Sequence, residues 1–121
     1  MPQDQPARVS FTLRLKDITI GWSDLESRNP ATRIARGAFR PGLGYELVEP
    51  IFVLRPVEDG GPDALEREVR YRRARDTLDL SLYAADGSEV DTARIDILRD
   101  ESSATELALE VSIVDRRFWL P

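Results

Sequence analysis

Between Asp76 and Asp115 the chain alternates apolar and polar residues with a period of two, and this constrains the fold more than any other feature. Leu78, Leu80, Leu82 and Ala84 interleave with Thr77, Asp79, Ser81 and Tyr83. Successive side chains on a strand point to opposite faces, so such a segment buries one face and wets the other. Asp86-Gly87 comes next, and Asp-Gly supplies the positive φ that a two-residue hairpin loop needs at its central positions. A loop of that length sets Leu80 opposite Ala93, Leu78 opposite Ile95 and Asp79 opposite Arg94. The next run, from Thr105 to Val114, carries Leu107, Leu109, Val111 and Ile113 on one parity. With Ile97 opposite Leu107, Arg94 falls opposite Glu110. Opposed charges across strands contribute roughly 0.2–1 kcal/mol each. Two carboxylates around an arginine also occur in active sites, but exposed pairs are weak, and the ladder is read as a solvated sheet face.

The earlier half reads as further strands. Val9, Phe11, Leu13 and Leu15 alternate with Ser10, Thr12, Arg14 and Lys16, after which the parity flips and Ile18, Ile20 and Trp22 become the apolar positions. A bulge at Lys16-Asp17 explains the flip; a tight turn is the alternative, and Lys-Asp is poor chemistry for one. Arg33 to Phe39 reads as a short strand, Arg40-Pro41-Gly42-Leu43-Gly44 as a turn, and Tyr45 to Val48 as extended chain. Pro50 marks an edge or bulge. Ile51-Phe52-Val53-Leu54 is apolar on both parities, as in a strand covered on both sides.

The segment Pro56 to Pro62 is rich in breakers. Beyond it, Asp63-Ala64-Leu65-Glu66 has the form of a capping box, and Asp63/Arg67, Glu66/Arg70 and Glu68/Arg72 are acid-before-base pairs at i,i+4. These features predict a short helix over 64–73 with a thin apolar stripe of Leu65 and Val69. The competing strand reading, with Val69, Tyr71 and Arg73 alternating, is weaker. The expected fold is all-β and mainly antiparallel: a two-sheet sandwich or small barrel with this one short helix. Residues 1–7 read as a flexible arm and residues 8–121 as a single domain, large enough at this size to remove roughly two thirds of its unfolded surface from water.

Composition narrows the function classes. The 121 residues include no cysteine and no histidine, so disulfides, thiolate and imidazole metal sites, cysteine nucleophiles and histidine acid–base chemistry are all excluded. No Gly-x-Ser-x-Gly elbow, dinucleotide loop or calcium-loop spacing occurs, so the chain reads as non-enzymatic, with no cofactor and no metal. A net charge of −5 disfavours nucleic acid as a partner. No apolar run is long enough to span a membrane, and Met-Pro-Gln-Asp-Gln-Pro has neither the basic nor the apolar region of a signal peptide, which gives a cytoplasmic expectation.

Two features suggest a binding surface. Arg67, Arg70, Arg72, Arg73 and Arg75 form the densest charge cluster, and guanidinium forks hold carboxylate or phosphate by two bonds. The plainer explanation is a solvated helix face paired with its own acids. Arg116-Arg117-Phe118-Trp119-Leu120-Pro121 carries three large apolar side chains that either close one end of the core or anchor a second subunit. The residues nominated for partner binding are therefore Arg70, Arg72, Arg73, Arg75, Arg117, Phe118 and Trp119. The expected function is a non-catalytic protein-interaction module, of the immunity-inhibitor or adaptor kind, binding another protein or a second copy of itself. The alternative is a small-ligand carrier with an apolar barrel cavity near Phe11, Trp22, Phe52 and Tyr83 or Trp119.

Overall fold

The computed structural model describes residues 10–53, 63–103 and 105–120. The arm at 1–7 and the whole breaker-rich segment, 56–62, lie outside the described residues. In chain order the elements are β1 (Phe11–Leu15), β2 (Ile18–Ser23), β3 (Ser27–Asn29), β4 (Ile34–Ala38), β5 (Arg40–Pro41), a 3₁₀ helix (Leu43–Leu47) and the one-turn helix α1 (Glu49–Phe52). Then come α2 (Ala64–Asp76), β6 (Leu80–Tyr83), β7 (Glu89–Val90), β8 (Thr92–Arg99), β9 (Leu107–Ile113) and a second 3₁₀ helix (Arg116–Trp119). The strands form two antiparallel sheets, ordered β5-β2-β1-β6-β7 and β3-β4-β9-β8, which are not closed into a barrel. The first sheet turns Leu13, Ile20 and Leu82 inward, and the second Ile97, Leu109 and Val111, all essentially inaccessible. Each such burial stabilises the fold by roughly 1.5–3 kcal/mol.

The alternating pattern therefore does bury one face of each strand, but the strands are distributed differently from the expected three-strand ribbon. The Asp-Gly turn closes a three-residue loop. The Ala84 amide donates to Ser88 O (2.8 Å), the Gly87 amide donates to Ala84 O (2.9 Å), and Gly87 has φ +90°. Asp86 Oδ1 accepts from both the Ser88 amide (2.9 Å) and its hydroxyl (2.6 Å). The register becomes Leu82 opposite Val90, and pairing stops there. Leu80 pairs with Leu15 of β1, not with Ala93, and the Leu78–Ile95 and Asp79–Arg94 pairings do not form. The cause lies at Asp91. Its carbonyl accepts from the amides of Val114 and Asp115, and its amide donates to Asp115 Oδ2, so the chain is pinned as it crosses into the second sheet.

Within the second sheet Ile97 lies opposite Leu109, and Asp96 opposite Glu110. That is displaced by two residues from the expected register. A displacement of two keeps every side chain on its own face, which is why the burial pattern survives the error.

Three further expectations are corrected. Lys16-Asp17 is a tight turn joining β1 to β2, with Lys16 at φ +55°; a non-glycine residue there costs about 1–2 kcal/mol, which the flanking pairs offset. A bulge does exist, but at Ile20, between the Leu13–Gly21 and Arg14–Thr19 pairs. Gly21 beside it cannot be larger, since a Cβ would come within 2.4 Å of Arg40 O and the Phe39 ring. Second, Tyr45 to Val48 and Ile51 to Val53 are not extended. They lie in or beside the 3₁₀ helix and α1, where Pro50 sits in the first turn and needs no amide partner. Of the expected two-sided strand, Leu54 lies outside the described residues, and Ile51–Val53 follow a helical turn on which Phe52, four residues after buried Val48, is buried and Val53 is exposed.

Third, α2 forms as a helix, longer than expected, but Asp63 makes no side-chain cap. Its inward residue is Tyr71 (1% exposed), flanked by half-buried Ala64, Glu68 and Arg75. Leu65 and Val69 are exposed, so the expected apolar stripe faces away from the core.

Candidate functional site

The residues nominated for binding separate into three places. Arg75 is drawn inward from α2. Arg70, Arg72 and Arg73 stay on its exposed side, where Arg72 reaches Glu68 at 3.6 Å. Arg117, Phe118 and Trp119 form the second 3₁₀ helix at one end of the sandwich.

Arg75 leads to Asp96, a buried carboxylate bonded by three side chains. Asp96, on β8, is 1% exposed. It shares its face of the sheet with Leu98 and Ala108, which are also buried, so this is not the solvated face that the alternation implied. Tyr71 donates its hydroxyl to Asp96 Oδ1 at 2.7 Å, and Arg75 Nη1 lies 3.0 Å from both carboxylate oxygens. Arg94 Nη1 bonds Oδ2 from two residues away on the same strand. The chain of charges continues outward: Arg94 Nη2 to Glu110 (3.3 Å), Glu110 to Arg36 Nη1 (3.4 Å), and Arg36 Nη2 to Asp100 (3.2 Å). Arginine thus alternates with carboxylate from α2 across β8, β9 and β4. The sequence signalled Arg94 between two acids, but named Asp79 where the structure supplies Asp96. Tyr71 and Asp96 were missed altogether.

The electrostatics identify this as a brace. Burial pushes the Asp96 carboxyl up, but the hydrogen bonds from Tyr71, Arg75 and Arg94 outweigh it and hold the group below the usual carboxylate range. Arg75, which burial alone would lower, is raised by its bonds to Asp96 and Asp76. Asp86, Asp100 and Asp115 are also lowered. A general acid at neutral pH needs a carboxyl shifted the other way. Each of these carboxylates is held ionised by its donors, and the arrangement is suited to fixing α2 against the sheet.

At the end of the sandwich Asp115 organises the second 3₁₀ helix. Its Oδ1 accepts from the Arg117 amide (3.0 Å) and Nε (3.2 Å), and its Oδ2 from Arg117 Nη2 (2.9 Å). The Arg117 guanidinium, with the Asp91 amide, lowers the Asp115 carboxyl to about 2. Phe118 and Trp119 are half-buried and pack on the core, closing its end as one of the two readings expected. Trp119 Nε1 donates to Ile113 O at 2.9 Å. An open cleft of about 320 Å³ lies here, lined by Phe11, Arg28, Ala84, Val90, Arg117 and Phe118 among others.

The third place is a surface. Leu43, Leu47, Val53, Leu65 and Val69 are 100%, 56%, 64%, 77% and 47% exposed. They lie on or beside the first 3₁₀ helix, α1 and α2, consecutive elements that contact one another. Exposed Ile18 and Trp22 come from β2, which packs on that 3₁₀ helix.

Among the described residues no cluster of three or more carboxylates could hold a metal ion, and no helix is long and apolar enough to cross a membrane. Compared with known protein families, with curated proteins and with solved structures, the chain matches none.

Proposed function

We propose that this chain is a non-catalytic protein-interaction module of the cytoplasm, engaging another protein or a second copy of itself through the outer side of its helical segment. One observation carries the reading: large apolar side chains that a packed domain would cover are left in water on three neighbouring helical elements. Scattered exposed leucines are ordinary, but these are consecutive in the chain and border the exposed Arg70, Arg72 and Arg73 of α2. Apolar anchors beside arginine are the composition enriched at protein interfaces. The committed carboxylates support the non-catalytic half of the reading, since charged groups bonded to one another are poor proton donors or acceptors. An inhibitor or assembly adaptor would have this character. The carrier alternative loses its barrel, because the two sheets are not closed, and Trp22, expected beside the cavity, is exposed.

The test is capture from native lysate together with light scattering, comparing the wild-type chain with the Leu65→Glu/Val69→Glu double variant. The module should retain a partner or form a dimer, and the variant should lose it while melting at the same temperature. A monomer that captures nothing, or a variant that binds as wild type does, removes this assignment.

A further inference from the structure

The cleft at the end of the sandwich lies on elements separate from the helical face, and it holds an arginine whose use within the fold is incomplete. Arg28, on β3, donates Nε to Leu25 O at 2.9 Å. Its guanidinium lies over the Phe118 ring at 4.5 Å and near the Phe11 ring at 5.7 Å. Those rings are themselves fixed, 5.5 Å apart in a tilted pair, with Trp119 edge-on to Phe118 at 4.7 Å. Stacking and the Nε bond set the plane of the guanidinium, while no carboxylate among the described residues reaches its two Nη atoms. The other charges of the cleft offset one another: Arg117 bonds Asp115 and Glu89 O, and Asp86, which accepts from Ser88, keeps a negative charge that faces Arg117.

We propose that this cleft binds a small carboxylate with an apolar or aromatic tail. The two Nη–H groups of Arg28 form an end-on fork for the carboxylate, and the tail lies against Phe11, Val90 and Phe118. A planar guanidinium with Nε already engaged retains the end-on geometry for bidentate binding. The cleft volume of about 320 Å³ stands at the small end of ligand sites, which suits a molecule of one ring and a short acid arm. Mainly apolar walls with a few placed polar groups, among them an arginine that no carboxylate among the described residues pairs, are the usual composition of such a site. Charge selects the ligand: a neutral analogue meets the same walls but leaves the fork unpaired, and a cation meets Arg28 directly.

The probe is 4-phenylbutyrate, with 4-phenylbutyramide as its neutral counterpart, titrated to about 10 mM into the full chain to cover a millimolar affinity. Binding is followed by amide, arginine Nε–H and tryptophan indole resonances. The acid should give saturable shifts at Arg28, Val90, Phe118 and the Trp119 indole, and should bind about tenfold more tightly than the amide, the usual scale of a charge-assisted pair. Arg28→Gln should abolish that preference, and Arg28→Lys should recover part of it, because lysine restores the charge without the fork. Equal binding of acid and amide by the wild-type chain overturns the proposal, as does the absence of saturable shifts at these residues. Because that comparison is made on the wild-type chain, it stands even if a variant at Arg28 folds poorly.

Discussion

Asp96 and Asp115 are both nearly inaccessible carboxylates held by arginine, yet they do different work. The donors of Asp96 converge from separate elements: Tyr71 and Arg75 from α2, Arg94 from its own strand. Asp115 is bonded mainly by Arg117, two residues on, and by the Asp91 amide at the crossing between sheets. The first ties a helix to a sheet, and the second shapes a corner of the chain. A buried charge whose side-chain partners come from another element makes the docking of that element conditional on them, whereas one held mainly by a neighbour two residues on and one strand-end amide affects chiefly the crossing it pins.

Substitution should separate the two. The largest expected effect is that of Asp96→Ala, which leaves Tyr71, Arg75 and Arg94 without their shared acceptor. Breaking one side of a buried ionic group in this way costs about 3–5 kcal/mol, to be read as a lowered urea midpoint. Tyr71→Phe keeps the ring packed and removes one donor, so a smaller loss of about 1–3 kcal/mol is expected in the same assay. An equal loss from both would show that the Tyr71 bond alone carries the contribution of Asp96, and no loss from Asp96→Ala would show that ring packing and not the carboxylate fixes α2.

Asp115 should announce itself through pH. Its carboxyl lies near 2 in the folded chain against an ordinary 3.8, so the folded state holds its proton less tightly than the unfolded one. The stability this contributes is complete above the ordinary value and disappears as pH falls through the folded one. The gap in stability between wild type and Asp115→Asn should therefore be constant at neutral pH and narrow between pH 4 and pH 2, as followed by urea titrations at each pH. A gap independent of pH across that window would mean the Asp115–Arg117 bonds form without stabilising the fold.

The smallest effect belongs to an exposed pair. Glu68→Gln on α2 loses its 3.6 Å contact with Arg72, both side chains being substantially solvated. The expected change in the urea midpoint corresponds to about 0–1 kcal/mol, further reduced by salt. It sets the baseline against which the two buried carboxylates are judged.

What could be read from the sequence followed from periodicity, and what could not followed from geometry at the strand ends. Leu80, Ile95 and Leu109 lie on the inward side because each strand keeps its own alternation whichever neighbour it takes, and the shift between β8 and β9 is an even one. Which strand each one neighbours depended on a loop one residue longer than Asp-Gly implied, and on the crossing pinned at Asp91. Sheet assignment therefore failed where face assignment held. The helix at 64–76 was visible in its i,i+4 charges, but its buried side was not. Leu65 and Val69 were the obvious apolar pair, and burial went instead to Tyr71, whose hydroxyl needs an acceptor that only the folded sheet provides. Asp96 could have been suspected from its position between Ile95 and Ile97 with Leu98 next, an acid in a stretch apolar on both parities. That signal becomes legible only once Leu98 and Ala108 show the second face to be covered.

The most direct test is amide hydrogen exchange of the Asp96→Asn chain, chosen because asparagine keeps the side-chain shape while losing the charge. If Asp96 fastens α2 to the sheet and so presents its outer face, the α2 amides should lose protection selectively while those of β9 keep theirs. Unchanged protection in α2, or an equal loss throughout both sheets, would contradict that role for Asp96.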